Sequence, residues 1–98
     1  MTSEPDITVE RDGGRGAYLL ALPGSEPARL TFVARSPEHI VIDYSFVPRS
    51  HRGRGVALQL VRRAVEDARA GGYKITPACG YVAAEFRRHP DWNDVLPR

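Results

Sequence analysis

Ninety-eight residues make one domain and no more, since a core needs roughly 50–200 residues to close. With 42% apolar and 27% charged residues the chain has the composition of a folded globular protein, which excludes a disordered one, and no apolar run approaches the ~18–20 residues of a membrane span. A single cysteine excludes an internal disulfide framework and a cysteine zinc cage, and acid stands in Met1–Asp6 where a secretory signal carries base, so the expectation is a reduced, cytoplasmic domain.

Residues 1–6 read as a flexible tail. Ile7–Val9 is a short strand candidate closed by Asp12-Gly13-Gly14, which is strong turn chemistry. Ala17–Leu22 is a second strand, ended by Pro23-Gly24-Ser25. Ala28–Arg35 is a third, with Leu30, Phe32 and Ala34 on one face and Thr31, Val33 and Arg35 on the other. Ser36-Pro37-Glu38 turns the chain into a fourth, His39–Val47, rich in β-branched and aromatic residues. The regular spacing of turns predicts an antiparallel meander.

After Pro48 the period changes. Ala57, Leu58, Val61, Ala64, Val65 and Ala68 follow helical spacing over Val56–Ala70, and Gly71-Gly72 supplies a stop. Tyr73–Thr76 is then a fifth strand broken by Pro77. Tyr81–His89 is a second, short helix that packs through Val82, Ala83 and Phe86 and ends at Pro90. The fold class is therefore α+β: a four-strand meander followed by helix, strand and helix.

The net charge of +2 is unevenly spread. Residues 1–48 hold four arginines against seven acids, a balance of −3, whereas residues 49–98 hold nine arginines and Lys74 against five acids, a balance of +5. A GC-rich coding bias is the plain reading of the preference for arginine. It does not account for Arg49, Arg52 and Arg54 falling within six residues around His51, a density that reads as an anion site.

That cluster lies in Val47–Ala57, between a strand and the start of a helix. A helix start offers backbone N–H groups without internal partners and a partial positive charge. Gly53 and Gly55, lacking side chains, would let an anion reach that backbone, and Arg52 and Arg54 would neutralise it. An ordinary glycine-containing turn with solvated arginines is the competing reading. The Walker A pattern is absent, and the dinucleotide fingerprint would need glycine where Leu58 stands. Arg52-Gly53-Arg54-Gly55-Val56-Ala57 instead matches Gln/Arg-x-x-Gly-x-Gly/Ala, the acyl-CoA diphosphate loop of the GNAT acetyltransferases.

The resemblance extends to Val47-Pro48, Arg52–Ala57, Pro77-Ala78-Cys79-Gly80-Tyr81-Val82, Phe86 and His89-Pro90, which together resemble the small single-domain members of that superfamily. It implies one GNAT-like domain over 1–98, a mixed sheet whose fourth and fifth strands run parallel and splay apart, and acetyl-CoA as acyl donor. Pantetheine would lie in the gap along Phe46 and Val47, and the diphosphate on Gly53, Arg54, Gly55, Val56 and Ala57 beside Arg52. Small members lack the helices that shape the acceptor site of larger ones, so the pocket is expected to be shallow or completed by a partner, a second copy of the chain being one way.

For the chemistry, the resemblance implies an N-acetyltransferase acting on an amine by direct attack or through acetyl-Cys79. Larger relatives place a proton-donating tyrosine one turn into the last helix, where Phe86 stands here, and many small relatives carry His-Thr where Tyr44-Ser45 stand. Tyr44 and Tyr81 are the substitute acids, with packing as the alternative for each, and Asp43 is a candidate base or a solvated strand acid. Cys79 is a candidate nucleophile, because thioester exchange onto cysteine is nearly balanced in energy and the helix start near Gly80 would lower its pKa. A buried, inert thiol is the alternative. His39, His51 and His89 show no metal-ligand spacing, so no metal is expected. The rival functions are a non-catalytic acyl-CoA-binding or acyl-sensing module and, ranked last, a nucleic-acid-binding module drawn from the arginine cluster.

Overall fold

Alternating apolar residues and turn-forming breaks in the first half of the chain produce four strands in sequence. In the computed structural model, which describes residues 6–97, these are β1 (Ile7–Asp12), β2 (Arg15–Leu20), β3 (Ala28–Ser36) and β4 (His39–Phe46). A single turn of 3-10 helix at Arg49–His51 leads to α1 (Val56–Gly71), then β5 (Lys74–Pro77), α2 (Gly80–Arg88) and a 3-10 segment at Pro90–Val95. Of the expected tail over 1–6, residues 1–5 lie outside the described residues.

The expected element order holds and several boundaries move. β1 and β2 run up to the Gly13-Gly14 turn and pair from Ile7↔Leu20 to Asp12↔Arg15, so the polar ends of both strands belong to the hairpin. Pro77 does not break β5 but ends it, opposite Ile42. The segment after Pro90 folds into a 3-10 turn that brings the Trp92 ring edge-on to Phe86, with centroids 5.3 Å apart, and stacks it on His89 at 4.1 Å.

The five strands form one sheet in the order β1-β2-β3-β4-β5, antiparallel except for the parallel β4–β5 pair that α1 connects. The registers put Tyr18, Leu20, Leu30, Phe32, Ile40, Ile42 and Ile75 on a common face, and all are buried with Leu60, Val61, Ala64 and Val65 of α1 and Val82 and Phe86 of α2 in one core. No described residue on the other face of the sheet is buried. In α1 the buried stripe runs through Val56 and Leu60, whereas Ala57 and Leu58 are half-buried.

Two details of β4 shape everything downstream. Thr31 pairs with Tyr44 and Phe32 with Ile42, which leaves Asp43 as an extra residue, a β-bulge. Before the bulge Ile40 and Ile42 point into the core. After it the alternation is inverted: Ser45, opposite Leu30, turns to the helix side, and Tyr44 and Phe46 turn to the open face. At the same level β5 departs. Its pairing with β4 ends at Ile42↔Pro77, and the N–H groups of Ala78 and Cys79 both donate to the Ile42 carbonyl, at 2.9 and 3.1 Å. Beyond that carbonyl the β5 side of β4 has no strand partner, and the expected splay is present.

Candidate active site

The loop from β4 to α1 owes its shape to its glycines. Gly53 and Gly55 take φ values of +79° and +74°, a left-handed conformation that costs other residues roughly 1–2 kcal/mol. Gly55 is the N-cap of α1, its carbonyl accepting from Gln59 N–H at 3.1 Å, and no side chain caps the helix. The N–H groups of Val56, Ala57 and Leu58 therefore lack helical partners. Among the described residues no backbone carbonyl accepts from Gly53, Arg54 or Gly55 either. A Cβ at Gly53 or Gly55 would meet nothing within 4 Å, so it is the left-handed backbone and not crowding that calls for glycine, and Gly53, Gly55, Val56 and Ala57 all border open space. Unpaired donors, a helix dipole and that space suit a bound anion.

The arginines reinforce this unequally. Among the described residues Arg49, Arg52 and Arg54 make no ion pair with a carboxylate. Arg52 is nevertheless engaged: its Nε donates to the Val47 carbonyl at 2.9 Å and ties the loop to the end of β4. It is thus a strut of the loop as well as a positive charge, a part its sequence position did not suggest.

A cleft of about 350 Å³ opens at this helix start. Val47, Arg52, Gly53, Gly55, Val56, Ala57 and Tyr81 line it, as do Ser45 and His51, which the sequence did not single out for it. Arg54 is exposed beside the cleft rather than in its wall, and the Phe46 ring lies on the open face under the Arg29 guanidinium, 5.6 Å away. A larger hollow of about 510 Å³ lies along the β1–β2 hairpin, at the opposite edge of the sheet, and is lined by no cysteine, serine or histidine.

Where the strands part, Cys79 Sγ sits 3.4 Å from Ser45 Oγ. Partial burial pushes the thiol pKa up, and the Ser45 hydroxyl with the backbone N–H groups of Val82 and Tyr81 more than offsets this, leaving it below the ordinary thiol value. Cys79 is the N-cap residue of α2, although its sulfur makes no capping hydrogen bond of good geometry. Tyr81 stands two residues on, lining the cleft, its pKa pushed up to about 12 by burial and by the nearby Glu85 carboxylate.

Ser45 and Tyr81 thus line the cleft together with the naked amides, and Cys79, which is not part of its wall, is held against Ser45. Tyr44 is not with them. The bulge puts it on the open face of the sheet, half exposed. Asp43 is held there too, accepting from Thr31 Oγ1 at 2.6 Å and lying 3.7 Å from Arg15. His39 bridges β4 to Thr76 of β5 at 2.6 Å, and His89 stacks on Trp92. Among the described residues no three His, Cys, Asp or Glu side chains gather as a metal ion would require. No described helix is long and apolar enough to cross a membrane.

Residues 17–95 match the family described as GCN5-related N-acetyl-transferase. No curated protein matches the sequence. Among solved structures, the solution NMR structure of a GCN5-like candidate N-acetyltransferase from Staphylococcus aureus superposes with a TM-score of 0.72 at 22% identity, over 98% of this chain and 91% of that one. At that identity the likeness establishes the shared fold.

Proposed function

The chain belongs to the GCN5-related N-acetyltransferase family, and on that premise we propose that it transfers the acetyl group of acetyl-CoA to an amine. The observation that carries the proposal is the cleft itself: it joins the unpaired amides at the start of α1 to Ser45 on the unpartnered end of β4, and the Cys79 thiol lies 3.4 Å from that serine. The residues present fit the donor. The N–H groups of Gly53 to Ala57 would hold its diphosphate, Arg49, Arg52 and Arg54 would supply positive potential, and the Phe46–Val47 backbone would run beside its pantetheine.

Bound acetyl-CoA supplies an activated thioester. The chain supplies position and polarity. Val47 N–H, which among the described residues donates to no backbone carbonyl, would polarise the thioester carbonyl oxygen. Cys79, as thiolate, would attack the acetyl carbon; the Sγ–C bond would form as the C–S bond of the donor breaks, and the proton given up by the Cys79 thiol would pass to the departing sulfur of coenzyme A. The amine then displaces Cys79, forming the N–C bond and restoring the thiol. The lowered thiol pKa and the adjacent Ser45 favour this route over direct attack of the amine, which gives the same products.

Intact mass spectrometry separates the cases. Acetyl-CoA alone should add one acetyl group to the wild type and none to Cys79→Ala, and an added amine should discharge it as acetylated product. Product formation undiminished in Cys79→Ala would assign direct attack. Cofactor binding with no product from any peptide, polyamine or small amine would sink the enzymatic reading.

A further inference from the structure

The Ser45 hydroxyl has one hydrogen-bond partner and room for another. Among the described residues its Oγ bonds only to Cys79 Sγ, at 3.4 Å, and Ser45 is the one side chain bonded to that sulfur. A hydroxyl offers one donor and two acceptor positions, so a single partner leaves capacity unused. Of the two residues it is Ser45 that lines the cleft, while Cys79 stands outside its wall. The placement depends on the β-bulge. Ile42 points into the core, and strict alternation from it would send Tyr44 to the helix side and Ser45 to the open face. The extra residue, Asp43, exchanges them. Bulges recur beside active sites, where they re-aim a side chain, and the side chain re-aimed towards the thiol here is the serine.

Exchange of the acetyl group onto Cys79 requires a proton to leave the thiol and a proton to arrive on the departing sulfur. We infer that Ser45 is the catalytic residue that carries it: Oγ accepts the thiol proton as Cys79 attacks, and the hydroxyl gives its own proton to the departing sulfur. The inference rests on the thioester-exchange route proposed above and concerns its first half only. The Sγ–C bond forms, the C–S bond of the donor breaks, and two protons each move one place. Ser45 ends as the neutral hydroxyl it was, and no further acid or base is consumed. A serine acting alone would be a poor acid, because giving up its proton would leave an alkoxide. By taking the thiol proton in the same step, Ser45 never ionises.

Two reactions of Cys79 separate proton delivery from thiolate formation. Both need the thiolate, but displacement of coenzyme A also needs a proton at the leaving atom, whereas iodide leaves iodoacetamide without one. Ser45→Ala should slow acetylation of Cys79 by acetyl-CoA, followed by intact mass, by about 10²-fold or more. Alkylation of the same protein by iodoacetamide, with no acyl donor present, should slow by no more than about tenfold, the worth of one hydrogen bond. Ser45→Thr keeps the hydroxyl and should recover most of the acetylation rate. With an aryl acetyl thioester, whose sulfur departs as a stable thiolate, the loss in Ser45→Ala should shrink to that seen in alkylation. Should Ser45→Ala unfold, Ser45→Thr and Ser45→Val, alike in shape and unlike in the hydroxyl, make the same comparison. A wild type that acetyl-CoA leaves unacetylated at Cys79 overturns the thioester-exchange route and the relay together. A wild type that is acetylated, with Ser45→Ala slowed equally in acetylation and alkylation, overturns the relay alone, as does an undiminished loss with the aryl thioester.

Discussion

The two halves of β4 share one strand and have different tasks. From His39 to Ile42 the strand is paired on both edges, with β3 and β5; Ile40 and Ile42 are buried, and His39 is riveted to Thr76. From Tyr44 to Phe46 it is paired with β3 only, buries nothing, and feeds the glycine loop at the start of α1. The change occurs at one carbonyl, that of Ile42, which takes the N–H groups of both Ala78 and Cys79 and so ends the β5 ladder. One extra residue, Asp43, makes the two halves face opposite ways. A single strand is thereby scaffold over its first half and a binding edge over its second, without a hinge or an added element.

Substitutions on either side of Asp43 should separate these tasks. The largest effect is expected in the doubly paired half: Ile42→Ala removes a side chain with no exposed surface and should cost about 2–5 kcal/mol. In a domain of this size each kcal/mol is worth roughly 4–8 °C in Tm, so thermal denaturation should show a fall of at least ~8 °C. A fall of a degree or two would mean that the paired half is not the scaffold.

Past the bulge the effects should move from stability to chemistry. Ser45→Ala should change stability by no more than about 1.5 kcal/mol, the worth of one hydrogen bond. It should raise the Cys79 pKa, because it removes the largest influence that lowers it, and so slow alkylation by iodoacetamide at neutral pH. Unchanged alkylation would disconnect Ser45 from the thiol. The sign of the linkage is fixed as well. Since the folded thiol titrates below the unfolded one, its contribution to stability is present above the unfolded pKa and is lost as pH falls through the folded pKa. Urea unfolding across neutral to alkaline pH should show that rise in the wild type and not in Cys79→Ala; parallel curves would contradict the lowered pKa. The smallest effect is expected of Tyr44→Ala, on the open face and half exposed, with a cost within about 0.5 kcal/mol in urea unfolding. A much larger loss would show that the open face is packed.

Local chemistry made most of this fold readable, and pairing made the rest unreadable. The turn at Gly13-Gly14, the helical period of Val61 to Ala68 and the stop at Gly71-Gly72 are set by neighbours in the chain, and these elements appear where the sequence put them. The glycine loop was legible for the same reason. Its left-handed residues and the helix start they bare belong to six consecutive positions. The bulge was not legible, because Asp43 becomes an extra residue only when Thr31 and Phe32 are laid beside β4. Simple alternation therefore gave no reason to place Ser45 with Cys79, or to send Tyr44 to the open face. Glu85 escaped notice because a glutamate on a short helix reads as solvated, and only the packed α2 reveals that it is buried, with Arg88 and His89 as its partners. The strut made by Arg52 depends likewise on a carbonyl that the folded loop brings to it.

The account depends most on the bared amides at the start of α1. Calorimetric titration of coenzyme A into the wild type and into Gly55→Glu tests them directly. An acidic N-terminus suits the helix dipole, and the left-handed strain costs only about 1–2 kcal/mol, so the variant should still melt cooperatively. The expected result is measurable binding by the wild type and at least a tenfold weaker Kd for the variant, about 1.4 kcal/mol. No heat with the wild type, or equal affinity in the two proteins, would contradict the claim that this helix start holds the diphosphate.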